Sequence, residues 1–368
     1  MNYNSYKLLT PGPLTTTSTV KEAMLIDRCT WDKDYNDMTQ NIRAKLLKLA
    51  HVDNNDYTAV LMQGSGTFGV ESVLTSIPSD NDTVLVIVNG AYSKRMCDIL
   101  RMAKIKYKTI EFPYNKNVDV SMVAEFLDAN DDITMLSMVH SETTSGLLNN
   151  IEGIAEILQD RKITFIVDAM SSFGAVDIDV KKLSIDFLVS SANKCIQGVP
   201  GFAFIIANKE KLLASKGNAR SLSLDLYGQF ETMENSHGKW RFTSPTHVVA
   251  AFSKALEELE LEGGIKARFD RYSKCNQMLR EGMQALGFKM YIDTSDQGPI
   301  ITTFLYPDNF KVNFNDMHEF LKQRGYVIYP GKLTDIDTFR LGNIGEIYPE
   351  DITAIIDLFK QYKEANHA

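Results

Sequence analysis

The sequence predicts an α/β fold, with a large domain built on a mostly parallel sheet covered by helices and a smaller α+β domain toward the C-terminus. Three observations lead to it. From Tyr57 to about residue 207, short apolar runs alternate with amphipathic stretches, the pattern of strands buried on both faces between helices. Polar sequences follow the runs that end near Gln63, Asn89 and Val139, while two later runs lead into Asp168 and Lys194. In open α/β sheets ligands sit beyond the carboxyl ends of the strands, so these residues would gather along one edge. After residue 207 the texture changes to long helical patterns separated by short isolated apolar runs.

The elements follow in order. Residues 58–63 read as a strand and 69–75 as part of a helix; 83–88 and 93–102 repeat the pair. The run 106–111 precedes a helix around 122–127, and 134–139 precedes one at 154–158. Residues 163–168 end in a carboxylate, residues 187–194 end in small polar residues and one amine, and 201–206 is a further apolar run. A helix over 246–262 stops at Gly263-Gly264, and a second over 265–286 stops at Gly287, glycine being the usual residue past a helix end. Beyond them lie runs at 300–304, 326–329 and 339–341, a helix near 317–323 and a last helix from Asp351. With no repeat and no low-complexity linker, the two units should be packed together, the large one over 15–260 and the small one over 1–14 and 261–368.

Composition bounds the function. The chain has 368 residues, enough for two domains, and carries a net charge of −8, which argues against nucleic acid or anionic membranes as partners. An anionic ligand must then be held by local donors. The four cysteines (Cys29, Cys97, Cys195, Cys275) form no CxxC, so neither a disulfide framework nor a zinc site is indicated. No apolar run approaches the roughly 20 residues of a membrane span, and the first residues lack the basic and apolar regions of a signal peptide. A reducing cytoplasm is the expected compartment.

Asp168 and Lys194 carry the strongest chemical signal. A lysine has a free pKa of about 10.4, and desolvation or a neighbouring cation lowers it enough for Schiff-base chemistry. A pyridinium ring needs the opposite partner, an anion on its nitrogen, so the pair suggests pyridoxal phosphate. The bland alternative is a solvated lysine and a strand-capping aspartate. Gln63-Gly-Ser-Gly-Thr67 lies between a strand and a helix, where free N–H groups and the helix dipole favour a phosphate. Read as Gly64-x-Gly66-x-x-Gly69, the same stretch raises a dinucleotide-dependent dehydrogenase. That fold wants an acid roughly 20 residues on, at the end of the next strand, and Asn89 stands there instead. A plain tight turn remains a third reading.

Other residues divide between site and scaffold. Tyr92 opens a helix and could stack on a flat heterocycle or pack in the core. His140-Ser-Glu-Thr-Thr-Ser145 is polar for a segment that follows a strand, which favours a site. Arg340, inside an apolar stretch, either faces solvent from an edge strand or is held inward to grip an oxyanion with its planar fork. His237, His247 and Cys195 read as structural, and no histidine–carboxylate spacing suggests a metal.

Five longer motifs carry a family resemblance: Leu8-Leu-Thr-Pro-Gly-Pro-Leu14, His140-Ser-Glu-Thr-Thr144, Val167-Asp-Ala-Met-Ser-Ser-Phe-Gly174, Ser190-Ser-Ala-Asn-Lys-Cys-Ile-Gln-Gly-Val-Pro-Gly201 and Lys239-Trp-Arg-Phe-Thr-Ser-Pro-Thr-His247. They closely resemble the 2-aminoethylphosphonate–pyruvate aminotransferases, in the class V branch of fold-type I pyridoxal-phosphate enzymes. The resemblance covers essentially the whole chain, with the stretch from about Ile105 to Asp132 freely variable. It implies a homodimer with shared active sites that transfers an amino group from 2-aminoethylphosphonate to pyruvate. It implies Lys194 as the lysine that carries the cofactor and Asp168 as the partner of the pyridine nitrogen. Ser65, Gly66 and Thr67 would hold the phosphate, Tyr92 stack on the ring, and Thr143 lie near the ring hydroxyl. Thr243 would reach the phosphate of the neighbouring subunit and Arg340 bind the acidic group of the substrate, with Trp31 in a loop bordering the site. A class V alanine–glyoxylate or serine–glyoxylate aminotransferase would share this machinery. A protein that binds pyridoxal phosphate without turnover is the alternative of another class.

Overall fold

The computed structural model describes residues 5–307, 313–331, 333 and 336–366. Before the first expected strand the chain already forms β1 (Lys7–Leu9), α1 (Ser18–Glu22) and α2 (Lys33–Leu49). The sequence reading passed over all three. In α2 the buried residues Tyr35, Thr39, Ile42, Arg43, Leu46 and Leu47 recur at helical spacing, a stripe diluted by a buried threonine and arginine.

The expected alternation follows. β2 (Tyr57–Gln63), α3 (Gly66–Ser76), β3 (Thr83–Val88), α4 (Ala91–Met102), β4 (Lys106–Glu111), α5 (Val120–Asp128) and β5 (Met135–Val139) come in order. A small hairpin, β6 (Ser141–Glu142) and β7 (Leu147–Leu148), leads into α6 (Ile151–Leu158) and β8 (Thr164–Asp168). Next come β9 (Phe187–Ser191), β10 (Phe202–Asn208), α7 (Lys209–Ala214), α8 (Leu226–Asn235) and α9 (Thr246–Glu262). The hairpin and the helices α7 and α8 are additions to the expected list. β9 stops three residues short of Lys194, which lies in a turn closed by hydrogen bonds from Gln197 N–H to the Lys194 carbonyl and from Gly198 N–H to the Ala192 carbonyl.

The large sheet runs β2-β10-β9-β8-β5-β3-β4. Its neighbours are parallel except β10, which is antiparallel to both β2 and β9. β2 and β9 therefore point the same way, and the carboxyl ends of β2, β3, β5, β8 and β9 share one edge. Burial explains the continuous apolar runs: Val84 to Val88 in β3 are all at most 1% exposed.

The C-terminal part contains α10 (Gly264–Ala285), β11 (Lys289–Met290), β12 (Ile301–Leu305), α11 (Phe314–Lys322), β13 (Tyr326–Pro330), β14 (Thr338–Gly342) and α12 (Pro349–Asn366). The last helix begins at Pro349, two residues earlier than expected; proline suits a first turn, where its missing N–H costs nothing. The second sheet has the order β1-β13-β14-β12-β11, with β1 pairing parallel to β13. Phe288, Phe304, Phe339 and Phe359 form its core, with Phe339 5.5–5.8 Å from the other three ring centroids. On this sheet rests our proposed division into a unit of 15–260 and a unit of 1–14 with 261–368, of which residues 1–4, 308–312, 332, 334–335 and 367–368 lie outside the described residues.

Candidate active site

The carboxyl edge of the large sheet opens into a cavity of about 200 Å³ lined by Ser65, Gly66, Thr67, Tyr92, Arg95, Asp168, Met170, Asn193 and Lys194, among others. β8 and β9 are adjacent and parallel, with Asp168 level with Val189. Asp168 thus ends one strand, and the next strand leads through its turn to Lys194.

Lys194 is half-buried, and desolvation of its amine holds its pKa below the ordinary lysine range; the positive charge of Arg340 adds to the depression. Its Nζ donates to the Pro11 carbonyl at 2.8 Å. β1 joins the small sheet, and the chain then crosses above the lysine at Pro11 and Gly12. Gly12 has φ +119°, and a Cβ there would lie 2.7 Å from Nζ, so both the backbone and the close approach require glycine.

Asp168 is buried, and desolvation pushes its carboxyl up to about 7, against a hydrogen bond from Met170 N–H at 2.9 Å and with repulsion from Glu142. A carboxylate so disfavoured alone becomes favourable once a cationic ring nitrogen stands beside it. At the other wall Ser65 is the N-cap of α3 and its side chain makes no cap bond. The first N–H groups of a helix lack partners within it, so those of Gly66 and Thr67 are suited to an anion. A Cβ on Gly66 would come within 2.3 Å of Met170 Sδ, so glycine keeps this corner open. An anion cradle, an aromatic face, a buried acid and a buried amine together fit a phosphorylated pyridine aldehyde.

Tyr92 lies half-buried in the first turn of α4, its N–H donating to Glu142 Oε2 at 3.2 Å. Glu142 is fully buried and also accepts from Thr144 N–H and Thr144 Oγ1. Thr143 is buried between them, and its carbonyl accepts from Arg340 Nη1 at 3.1 Å. β14 is an inner strand of its sheet, so Arg340 is held inward. Neighbours on a strand face opposite ways: Phe339 and Leu341 enter the small core, while Arg340 turns toward the hairpin, with Nε on the Pro330 carbonyl at 3.0 Å and its guanidinium 5.1 Å from the Tyr329 ring centroid.

Thr243 and Trp31 do not line the cavity of a single chain. Thr243 is exposed just before α9, and Trp31 is 75% exposed with Lys239 Nζ 4.3 Å from its ring centroid. His140 is buried and does not line the cavity: its backbone N–H donates to the Asp168 carbonyl, and burial pushes its imidazole down to about 3. His237 pairs with Asp37 and His247 with Asp27 on the surface, while Cys195 is buried, with Sγ on the Ser171 carbonyl. Asn89, where a dinucleotide fold wants an acid, is buried against Asn149. The sequence reading missed Arg95, Glu142 as a separate residue and the Pro11 carbonyl. Arg95 had one legible signal, its place three residues after Tyr92 on the same helix face.

Comparison with known proteins gives consistent likenesses. The family model described as aminotransferase class-V matches residues 28–336. The chain is 54% identical over 359 residues to a protein of Lysinibacillus sphaericus (strain C3-41) named 2-aminoethylphosphonate–pyruvate transaminase, covering 98% of both chains. It is 52% identical over 359 residues to a Clostridioides difficile (strain 630) protein named bifunctional phosphonoacetaldehyde hydrolase/aminoethylphosphonate transaminase, covering 98% of this chain and 56% of that one. Among solved structures, the ureidoglycine–glyoxylate aminotransferase of Bacillus subtilis superposes with a TM-score of 0.89 at 20% identity, covering 99% and 94% of the two chains.

Proposed function

The chain belongs to the class-V aminotransferase family, and on that premise we propose that it moves the amino group of 2-aminoethylphosphonate to pyruvate, giving phosphonoacetaldehyde and L-alanine in phosphonate catabolism. The observation that carries this reading is the likeness to 2-aminoethylphosphonate–pyruvate transaminases over 98% of the chain.

Pyridoxal phosphate is the cofactor of this reading. When bound it supplies a reactive aldehyde and a ring that draws electrons from the substrate carbon. Ser65, Gly66 and Thr67 would hold its phosphate, Tyr92 would stack on the ring, Thr143 would lie by the ring hydroxyl, and Asp168 would keep the ring nitrogen protonated. Lys194 would be the residue that holds the aldehyde carbon, and its free amine would move a proton to and from the substrate carbon as base and acid. Burial favours the neutral amine this needs, and the Pro11 carbonyl orients it.

Arg340 receives the phosphonate of the donor and then the carboxylate of pyruvate; its planar fork suits both anions. Steady-state kinetics with 2-aminoethylphosphonate, alanine and serine as donors test the reading. The phosphonate should be strongly preferred. Arg340→Lys keeps the charge but loses the fork, and should weaken both the phosphonate donor and pyruvate by roughly 1.5–3 kcal/mol. Preference for a carboxylate donor would instead favour the glyoxylate-type aminotransferases, and unchanged kinetics in Arg340→Lys would move the anion site elsewhere.

The protein is proposed to be a cytoplasmic homodimer. Its four cysteines are free, and no helix among the described residues is long and apolar enough to cross a membrane. Thr243, exposed in one chain, reaches the phosphate of the other subunit in this assembly, and Trp31 borders its substrate. Sedimentation at assay concentration should show a dimer; an active monomer contradicts the shared site.

A further inference from the structure

We infer that Arg95 is the cation that receives the cofactor phosphate and that makes the site prefer the phosphorylated cofactor to unphosphorylated pyridoxal. The inference rests on the pyridoxal phosphate reading and adds a residue to it. Arg95 lines the cavity, and its Nη1 donates to Thr67 Oγ1 at 3.0 Å, the hydroxyl of the α3 cradle. Its guanidinium lies 5.1 Å from the Tyr92 ring centroid, within the range of a cation–π contact. One side chain therefore joins the cradle to the aromatic face.

Charge points the same way. Many arginines of this chain have an acidic partner: Arg43 pairs with Glu234, Arg161 with Asp128, Arg220 with Asp80, and Arg268 and Arg271 with Glu262. Among the described residues Arg95 pairs with no carboxylate within 4.0 Å, although it sits half-buried beside a cavity that contains Asp168. In a protein of net charge −8, a phosphate dianion placed here needs a fixed cation close by. Lys194 serves the aldehyde, and Arg340 is fixed to the hairpin by Thr143. Arg95 remains for the phosphate. A guanidinium has five N–H donors, so the Thr67 bond leaves others for phosphate oxygens.

The competing role is a prop, with Arg95 merely steadying Tyr92. The two roles separate by ligand. A displaced Tyr92 would weaken pyridoxal and pyridoxal phosphate alike, whereas a lost phosphate contact weakens only the second. Equilibrium titration of the cofactor-free full-length protein with each ligand, followed by absorbance, gives both dissociation constants for wild type, Arg95→Leu and Arg95→Lys. Arg95→Leu is expected to bind pyridoxal phosphate roughly 10- to 100-fold more weakly, the range of a charged hydrogen bond, with pyridoxal changed by less than about threefold. Arg95→Lys, which retains the charge and the cavity volume, should lose about three- to tenfold for pyridoxal phosphate alone and keeps the comparison available if the leucine variant does not fold. Equal losses for both ligands, or none, overturn the inference. Wild-type protein that binds neither ligand overturns the cofactor reading as well.

Discussion

Replacing Lys194 with alanine is expected to lower turnover by at least about a thousandfold, within the range lost when a positioned acid–base group is removed. The variant should also hold its cofactor without a covalent bond. In the wild-type protein, borohydride reduction and peptide mapping should place a pyridoxyl group on Lys194 and on no other lysine. The physical reason is burial. A lysine in water keeps its proton, whereas Lys194 is half-buried in the cavity wall, has its amine depressed by desolvation and by Arg340, and is aimed by the Pro11 carbonyl. Surface lysines such as Lys33 and Lys266 instead pair with acids four residues along their helices. A label on another lysine, or near-normal turnover in Lys194→Ala, removes the assignment.

Asp168→Asn is expected to retain much of the cofactor and to lose at least about tenfold in rate, since a mispaired buried group costs roughly 1–3 kcal/mol, more when charged. The amide can hydrogen-bond a ring nitrogen but cannot balance a protonated one. The same substitution has a signature in the cofactor-free protein. Burial raises the carboxyl of Asp168 to about 7 in the fold, above its usual range. With the folded pKa above the unfolded one, its contribution to stability is full below pH 4 and is lost as pH rises through about 7. His140 acts in the opposite sense: its folded pKa of about 3 gives a contribution that is full above pH 6.5 and is lost on acidification. The groups facing Asp168 (Glu142, Lys194 and Arg95) remain in both proteins, so subtraction isolates the aspartate. Thermal melts at pH 5 and pH 8 should show Asp168→Asn gaining on wild type as pH rises, by on the order of a few kcal/mol. An unchanged difference would mean that the carboxyl is not held in an apolar site.

The sequence by itself determined the alternating strands and helices of the large unit and the edge at which their carboxyl ends meet. Strands buried on both faces must be apolar throughout, so β3, β5, β8 and β9 stand out from their surroundings without reference to any partner. Where such a run gives way to a carboxylate or an amine, as at Asp168 and toward Lys194, the break is local and readable. The glycines after β2 were legible as a strand-to-helix turn, which acts within a few residues, whereas the approach of Met170 to Gly66 was not.

Only the tertiary structure decided the rest. Alternation along β14 implies that Arg340 and Phe339 face opposite ways, but not which face is core; that depends on β12 and β13 flanking the strand and on Thr143 coming from a distant segment of the chain. β1 was invisible because three residues have no period, and it forms by pairing with β13 more than 300 positions later. That pairing carries Pro11 and Gly12 over Lys194. Arg95 and Glu142 were not singled out as individual residues because their meaning lies in contacts across elements, with Thr67 on one side and Tyr92 on both. Apolar periodicity records how each segment meets the core, whereas hydrogen bonds between charged groups on different segments leave no periodic trace, so the scaffold can be read along the chain and the site only across it.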